Sequence, residues 1–446
     1  MGYIIKKYII IMLLILLFLP DWGFLFLGNS RPIISFPEIG AMTLILIWIS
    51  QKLLQKNLKV YDSSLKLFLL IMTIIIIATI GAIFYFDRIN WFEHWKSAIK
   101  LFFWAIFMFC WTDYVKDISS TSFLNDIFNI YINIALFVSI IVIFQYVFYQ
   151  FTGISLKLNP FHAQGWGSMA GNYRAQGIYG EPSWVGVMLI PPLIVQIKLF
   201  LTFNRFSNMW KSLIILSAII LSFSLASYLV VVFYIALILL KWFYKNIFSK
   251  FIYNKIKKKT IFTGFVILCI FIISILVFFY KVYPFIGERI AKEAYYIINQ
   301  PENVSNKSVS GLSRFSGNLA FWLVLKRSPL FGIGFDQFEY LSSLTGEYYE
   351  IGNGIIGFIG TSAGILGIII TLYIFIFIWS GGQKMRGNLN DCESELVVSG
   401  KAMVIALFLE QIILYPGILN SDFWLPLAFA YLFIVSGYKN KIQQIY

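Results

Sequence analysis

Charge is thin along this chain, and histidine is thinner still. Charged residues make up 13% of the 446 positions, and the two histidines are His94 and His162. A soluble domain has about a quarter of its residues charged, so a water-facing surface of ordinary extent is excluded. Of three cysteines, Cys110 and Cys269 fall in apolar runs and Cys392 in a polar loop read below as an inner one, so no disulfide is expected. The ten-residue alternation of barrel strands is missing. So are internal repeats and the linkers of an appended soluble domain. Lys6-Lys7 and the apolar run from Tyr8 to Leu19 resemble the start of a signal peptide, but no small-residue cleavage site follows, so the run is read as a retained span.

What the chain has is apolar length. Hydrophobic residues make up 59% of it and mean hydropathy is +0.79. In lipid, a helix satisfies its own backbone, and about 20 apolar residues cross the hydrocarbon core. The expectation is an all-α, polytopic membrane protein, one integral domain over 1–446 with about twelve spans. They are read at 8–27, 38–54, 65–85, 96–112, 124–150, 183–203, 211–225, 227–243, 261–280, 351–379, 400–415 and 421–437. Pro20-Asp21 interrupts the first. The seventh and eighth share one apolar run, divided at the small polar cluster Ser222–Ser227.

Positive charge supports that division. With it, Lys6, Lys7, Lys52, Lys56, Lys59, Lys241, Lys245, Lys257–Lys259, Lys384, Arg386 and the C-terminal lysines share one side. By the positive-inside bias that side is cytoplasmic and holds both termini. The net charge of +14 is then a topology signal and calls for no nucleic acid. Two long outer loops follow, at 151–182 and 281–350. The second carries helical spacing at Glu288–Asn299 and Ser313–Lys326, ended by Ser328-Pro329 and the glycines behind it.

The richest polar stretch is Tyr173-Arg174-Ala175-Gln176-Gly177-Ile178-Tyr179-Gly180-Glu181-Pro182. Its Arg-x-x-Gly-x-Tyr-x-Glu-Pro pattern before a span resembles the first outer-loop signature of the bacterial O-antigen polymerase and ligase superfamily. The divided run at 222–227, Ser313-Arg314 with Trp322, Ser328–Gly334, Gly364-Ile365-Leu366-Gly367 and Trp424 resemble later features of that family, in order. The resemblance spans about 130–440 and implies a membrane glycosyltransferase at the outer face of the bacterial inner membrane. Its substrate would be an oligosaccharide on undecaprenyl pyrophosphate, and its product O-antigen, capsule or exopolysaccharide. A chain-length regulator protein and membrane lipid are the implied partners. The ligases carry a His-Asn pair where this chain has Gly352-Asn353, which favours a repeat-unit polymerase over a ligase. A flippase of lipid-linked sugar is the rival from another class.

Arginine suits a departing pyrophosphate, being always charged and able to bind oxygens in pairs. Arg174 and Arg314 lead, with Arg289 behind them. A sugar hydroxyl needs a base, for which Glu181 and Glu410 are candidates, with Asn353 as a positioning amide. Glu410 is read in the outer part of an apolar helix, where a carboxylate is costly. Asp336 and Glu339 read as solvated loop charges. Glu181 could instead cap the helix after it. Trp166, Tyr173 and Tyr179 are candidates for stacking on sugars, against the alternative of an interfacial aromatic belt. No Asp-x-Asp-like pair stands on an outer loop, so no metal is expected, nor any cofactor.

Overall fold

A computed structural model describes residues 2–19, 22–26, 32–55, 61–115, 121–159, 168–169, 172–204, 206–243, 321–337, 340, 354–381, 395–413 and 418–445. The helices follow the apolar runs. They are α1 (Gly2–Leu17), α2 (Phe36–Leu54), α3 (Asp62–Ile83), α4 (Trp91–Val115), α5 (Thr121–Thr152), α6 (Pro182–Phe203), α7 (Phe206–Leu221) and α8 (Leu225–Phe243). After a short helix at 321–327 come α9 (Thr361–Trp379), α10 (Glu395–Ile413) and α11 (Ser421–Ile445). Among the described residues, seven helices are long and apolar enough to cross a membrane. The chain has the build of a multi-pass helical membrane protein. The expected span at 261–280 and the expected helix at Glu288–Asn299 lie outside the described residues.

Several hydroxyls inside the bundle are satisfied close to home. Thr43, Thr79, Thr112, Ser139 and Thr371 each donate to the carbonyl four residues back. This is the cheapest partner for a hydroxyl in an apolar helix. α2 starts on a reciprocal cap, in which the Ser35 hydroxyl accepts from the Glu38 amide and the Glu38 carboxylate accepts from the Ser35 amide.

The expected first span is corrected. α1 stops at Leu17, and Gly23–Phe26 (β1) pairs antiparallel with Pro32–Ser35 (β2). A proline at position 20 cannot continue the helix, and the short aromatic run after it is a strand. The division of the long run stands: α7 ends at Leu221 and α8 begins at Leu225, with Phe223 between them at φ 49°.

Side-chain contacts define two ends of the bundle. At one, Asp113 near the end of α4 accepts from the Trp48 indole (2.8 Å), the Lys52 ammonium (2.9 Å) and the Tyr61 amide (3.2 Å). Lys6 donates to the Tyr114 carbonyl at the same level. This is the lysine end. At the other, the Trp22 indole donates to the Ile178 carbonyl and the Ala175 amide to the Leu221 carbonyl. This is the loop end. α1 to α7 run alternately between the two.

α10 and α11 form a hairpin that packs along α6, and its tip is recessed. The Trp104 indole donates to Leu419 O (3.0 Å) and the Trp111 indole to Ala428 O (2.8 Å). At ~1.5 Å per residue, Trp104 lies roughly 20 Å along α4 from its start at the loop end. Gly354 approaches the Gln411 carbonyl so closely that a Cβ there would lie 2.1 Å from the oxygen. The entry to α9 and the α10–α11 tip therefore meet at about mid-height.

Candidate functional site

Three groups of residues surround the loop end and the space beneath it. The first is the stretch from Asn172 to Glu181. A short hairpin, Ser168–Met169 (β3) with Asn172–Tyr173 (β4), leads into it. Gln145, a buried amide on α5, holds its turn. Its Oε1 accepts from both the Gln176 and Gly177 amides at 2.8 Å, and its Nε2 donates to Leu156 O at 2.7 Å. Gly177 adopts φ 60°, and a Cβ there would lie 2.7 Å from a Val142 methyl, so glycine answers both the backbone and the space. Arg174 is half-buried, and its Nε donates to Ser222 O at 3.4 Å. The arginine thus ties this stretch to the break between α7 and α8. Glu181 sits at the N-cap of α6, but its side chain makes no cap bond and accepts instead from the Ser183 hydroxyl at 3.2 Å. The carboxylate lies in the positive field of the helix start.

The aromatics of this stretch are packing residues. Tyr173 is 3% exposed, with its ring stacked on Tyr149 at 4.1 Å. Burial pushes its hydroxyl pKa up, against a hydrogen bond with Ser155. Tyr179 is fully enclosed. Neither ring offers a face to a sugar, which corrects the stacking role expected of both.

The second group is the base of the long loop, residues 328–337. It threads into a break in the helix leading to α9. Ile355–Gly360 is a wide π-turn, and Gly364 takes φ 63°, ψ −159°, a region open essentially to glycine alone. The Ile333 and Gly334 amides donate to the Thr361 and Ser362 carbonyls (3.0 Å each), and Ile365 N donates to Pro329 O (2.9 Å). The inserted segment thus supplies hydrogen bonds that the broken helix lacks, as irregular backbone buried in apolar surroundings requires. His94 anchors the segment from α4. Its Nδ1 accepts from the Phe335 amide (3.0 Å), which leaves the proton on Nε2, 3.2 Å from the Thr79 hydroxyl. Gln337 accepts from the Asn90 amide at 2.9 Å. Asp336 takes φ 53° and accepts from the Ser97 hydroxyl. Burial raises its pKa; the Ser97 bond opposes that, Glu93 adds to it, and Lys96 and Lys100 oppose it. Asp336 is therefore a packed carboxylate, whereas a solvated one was expected.

The third group is the floor at the α10–α11 tip. Glu410 is fully buried, and neither carboxylate oxygen has a hydrogen-bond partner among the described residues. Its electrostatic neighbours are Asp422, at the start of α11, and Tyr131 on α5. Tyr131 stands roughly 15 Å along α5, whereas Gln145 stands roughly 36 Å along it. Glu410 accordingly lies in the last turn of α10, in the outer part of its helix as expected, but at about mid-height of the bundle, roughly 20 Å from the stretch holding Arg174 and Glu181.

No protein-family model matches the chain, and no curated protein matches it in sequence.

Of the residues singled out in the sequence, Arg174 and Glu181 lie seven positions apart on one clamped stretch at the loop end, and Glu410 stands apart from them. Trp166, Arg289, Arg314, Glu339 and Asn353 lie outside the described residues; Gly354, the neighbour of Asn353, packs on the floor. Gln145 and His94 are the residues the sequence did not single out for positioning. Their partners lie 31 and 241 residues away. Gln145 could have been noticed as an amide in an apolar run, which in lipid demands a partner; His94 stands among charged neighbours at a helix start and carries no such signal.

Proposed function

We propose that this chain is a membrane glycosyltransferase that polymerises lipid-linked oligosaccharide repeat units at the outer face of the bacterial inner membrane. The loop end is the outer face in this reading, and the lysine end is cytoplasmic, with about twelve spans in all. The observation that carries it is that Arg174 and Glu181 stand on one hydrogen-bonded stretch at the same end of the bundle, the end where His94 and Gln337 also fix the base of the long loop. That is the level at which a pyrophosphate headgroup lies. Arg174 would neutralise the departing undecaprenyl pyrophosphate, and Arg314 and Arg289 would reach it from the long loop. Glu181 would accept the proton of the attacking sugar hydroxyl. The balance is simple: the anomeric C–O bond to the diphosphate breaks, a C–O bond to the acceptor sugar forms, and the proton passes to the carboxylate. A chain-length regulator would set how often this repeats.

Purified protein incubated with undecaprenyl-pyrophosphate-linked repeat units should yield a ladder on a gel. Arg174→Ala and Glu181→Gln should abolish the ladder at normal expression. Ladders of full length in both would remove these residues from the mechanism. In cells, a deletion that accumulates single lipid-linked repeats supports the polymerase, and one that accumulates long lipid-linked polymer supports an O-antigen ligase instead.

A second reading, a flippase of lipid-linked oligosaccharide, is favoured by two observations: the helix broken at Gly364 and the unpartnered Glu410 at mid-height. Broken helices and intramembrane carboxylates are common in transporters. Translocation across a reconstituted bilayer with no new glycosidic bond would decide for it.

A further inference from the structure

Toward the lysine end, α1 and α5 leave a groove of about 430 Å³, lined by Lys7, Asp126, Asn129 and Asn133 over an apolar bed that includes Ile11 and Phe123. Its volume falls in the ~300–1,000 Å³ range of small-molecule sites. Lys7 leans over the Phe123 ring, 5.5 Å from its centre. Asp126, Asn129 and Asn133 are exposed and follow helical spacing along one face of α5. No hydrogen bond or ion pair joins any of the four polar side chains to another described residue.

The same face of α5 changes character further along. Phe137, Ile140 and Phe144 continue the stripe toward the loop end and are 64%, 55% and 57% exposed. A polar patch at the level of the bundle's lysine end thus gives way to an exposed apolar track. A water-soluble ligand has no use for that track, whereas acyl chains would cover it. Among the described residues the patch holds one cation, one anion and two amides. An anionic headgroup would set a second negative charge beside Asp126. A quaternary choline has no N–H to donate to it.

We propose that this groove binds the headgroup of a zwitterionic aminophospholipid. The phosphate lies against Lys7 and the Asn129 and Asn133 amide N–H groups, the primary ammonium donates to Asp126, and an acyl chain follows Phe137, Ile140 and Phe144. The site is independent of the proposed reaction.

The test is native mass spectrometry of the full chain, offered phosphatidylethanolamine, phosphatidylcholine and phosphatidylglycerol of equal chain length. One charge-assisted hydrogen bond is worth at least ~1.5 kcal/mol, so phosphatidylethanolamine should be retained roughly tenfold better than phosphatidylcholine. Asp126→Asn, an exposed change that leaves the core untouched, should erase that difference and spare phosphatidylglycerol. Lys7→Gln should weaken all three. Asn125→Ala, on an exposed neighbour outside the groove, should change nothing. Equal retention of the two zwitterionic lipids by the native chain would overturn the proposal, as would an Asp126→Asn variant that keeps the preference. So would an equal loss in Asn125→Ala, or a second copy of the chain seated in the groove with no lipid.

Discussion

Gln145→Leu isolates the clamp on the Arg174 stretch, because leucine fills similar space and offers no hydrogen bond. The native amide satisfies the Gln176 and Gly177 N–H groups and uses the Leu156 carbonyl. Gln176 is 2% exposed and Gly177 is buried, so neither N–H has water to turn to. Each orphaned donor costs about 1–3 kcal/mol; the Leu156 carbonyl is nearer solvent and adds little. Allowing for some water entry, the closed stretch should lose about 2–4 kcal/mol relative to its opened form. A local opening of this stretch need not move the global melting temperature. Hydrogen exchange reads the opening directly: protection of the Gln176 and Gly177 amides should fall about 30- to 1,000-fold. Peptides from α3 and α4 should keep theirs. Gln145→Glu offers a reversal. At acidic pH the neutral acid presents one carbonyl acceptor and one O–H donor, much as the amide does, and protection should return; at neutral pH a buried carboxylate disfavours the closed form. Native-level protection in Gln145→Leu would refute the clamp.

Gly186→Ala would put a Cβ 1.8 Å from the Ser227 hydroxyl, where α6 meets α8; it should lower detergent-solubilised melting by several degrees, and Ser227→Gly should recover most of the loss. Asp336→Asn tests the packed carboxylate. Its folded pKa is raised, so ionisation opposes folding: stability is greatest below the unfolded value and falls as pH rises through the folded one. Asparagine tolerates the positive φ and still accepts from Ser97, so the variant should outlast the native chain at pH 7 in thermal melts, with the gap closing toward pH 4. A gap that widens on acidification would reverse the sign of this argument. Glu410→Gln replaces a buried, unpartnered carboxylate with a neutral amide and should raise melting temperature. In the transferase reading the ladder in vitro survives this change, because Glu410 lies too deep to meet the pyrophosphate; in the flippase reading translocation is lost.

Much of the bundle was legible in the sequence because its elements are long and locally determined. Apolar runs of about 20 residues become helices in lipid almost whatever their neighbours, and the expected spans at 38–54, 65–85 and 183–203 lie within or close to α2, α3 and α6. The break at Ser222–Ser224 could be read from small polar residues and from the lysine count on either side. Residues 23–26 could not: a short apolar run carries no periodicity that separates strand from buried helix. Depth was hidden for another reason. Hydropathy says that Glu410 is in a span, but its height is set by how far α10 and α11 are drawn down against α4 through Trp104 and Trp111. The stacking role expected of Tyr173 and Tyr179 failed similarly, since an aromatic in a polar stretch reads alike whether it faces a ligand or pins the loop to Tyr149.

That difference in depth changes what the carboxylates can do. Arg174 and Glu181 lie at the same end of the bundle, on the stretch to which the transferase reading assigns the chemistry. Glu410 and Asp422 stand near one another at the recessed tip. A neutral floor lets a sugar chain rest on hydrogen bonds, while a charged one would demand a cation from above. The two readings of this protein therefore separate on one physical point. In a transferase the floor is a passive seat, and chemistry belongs to the clamped stretch roughly 20 Å above it; in a flippase the floor's protonation is the working step, and the clamp only frames the entrance.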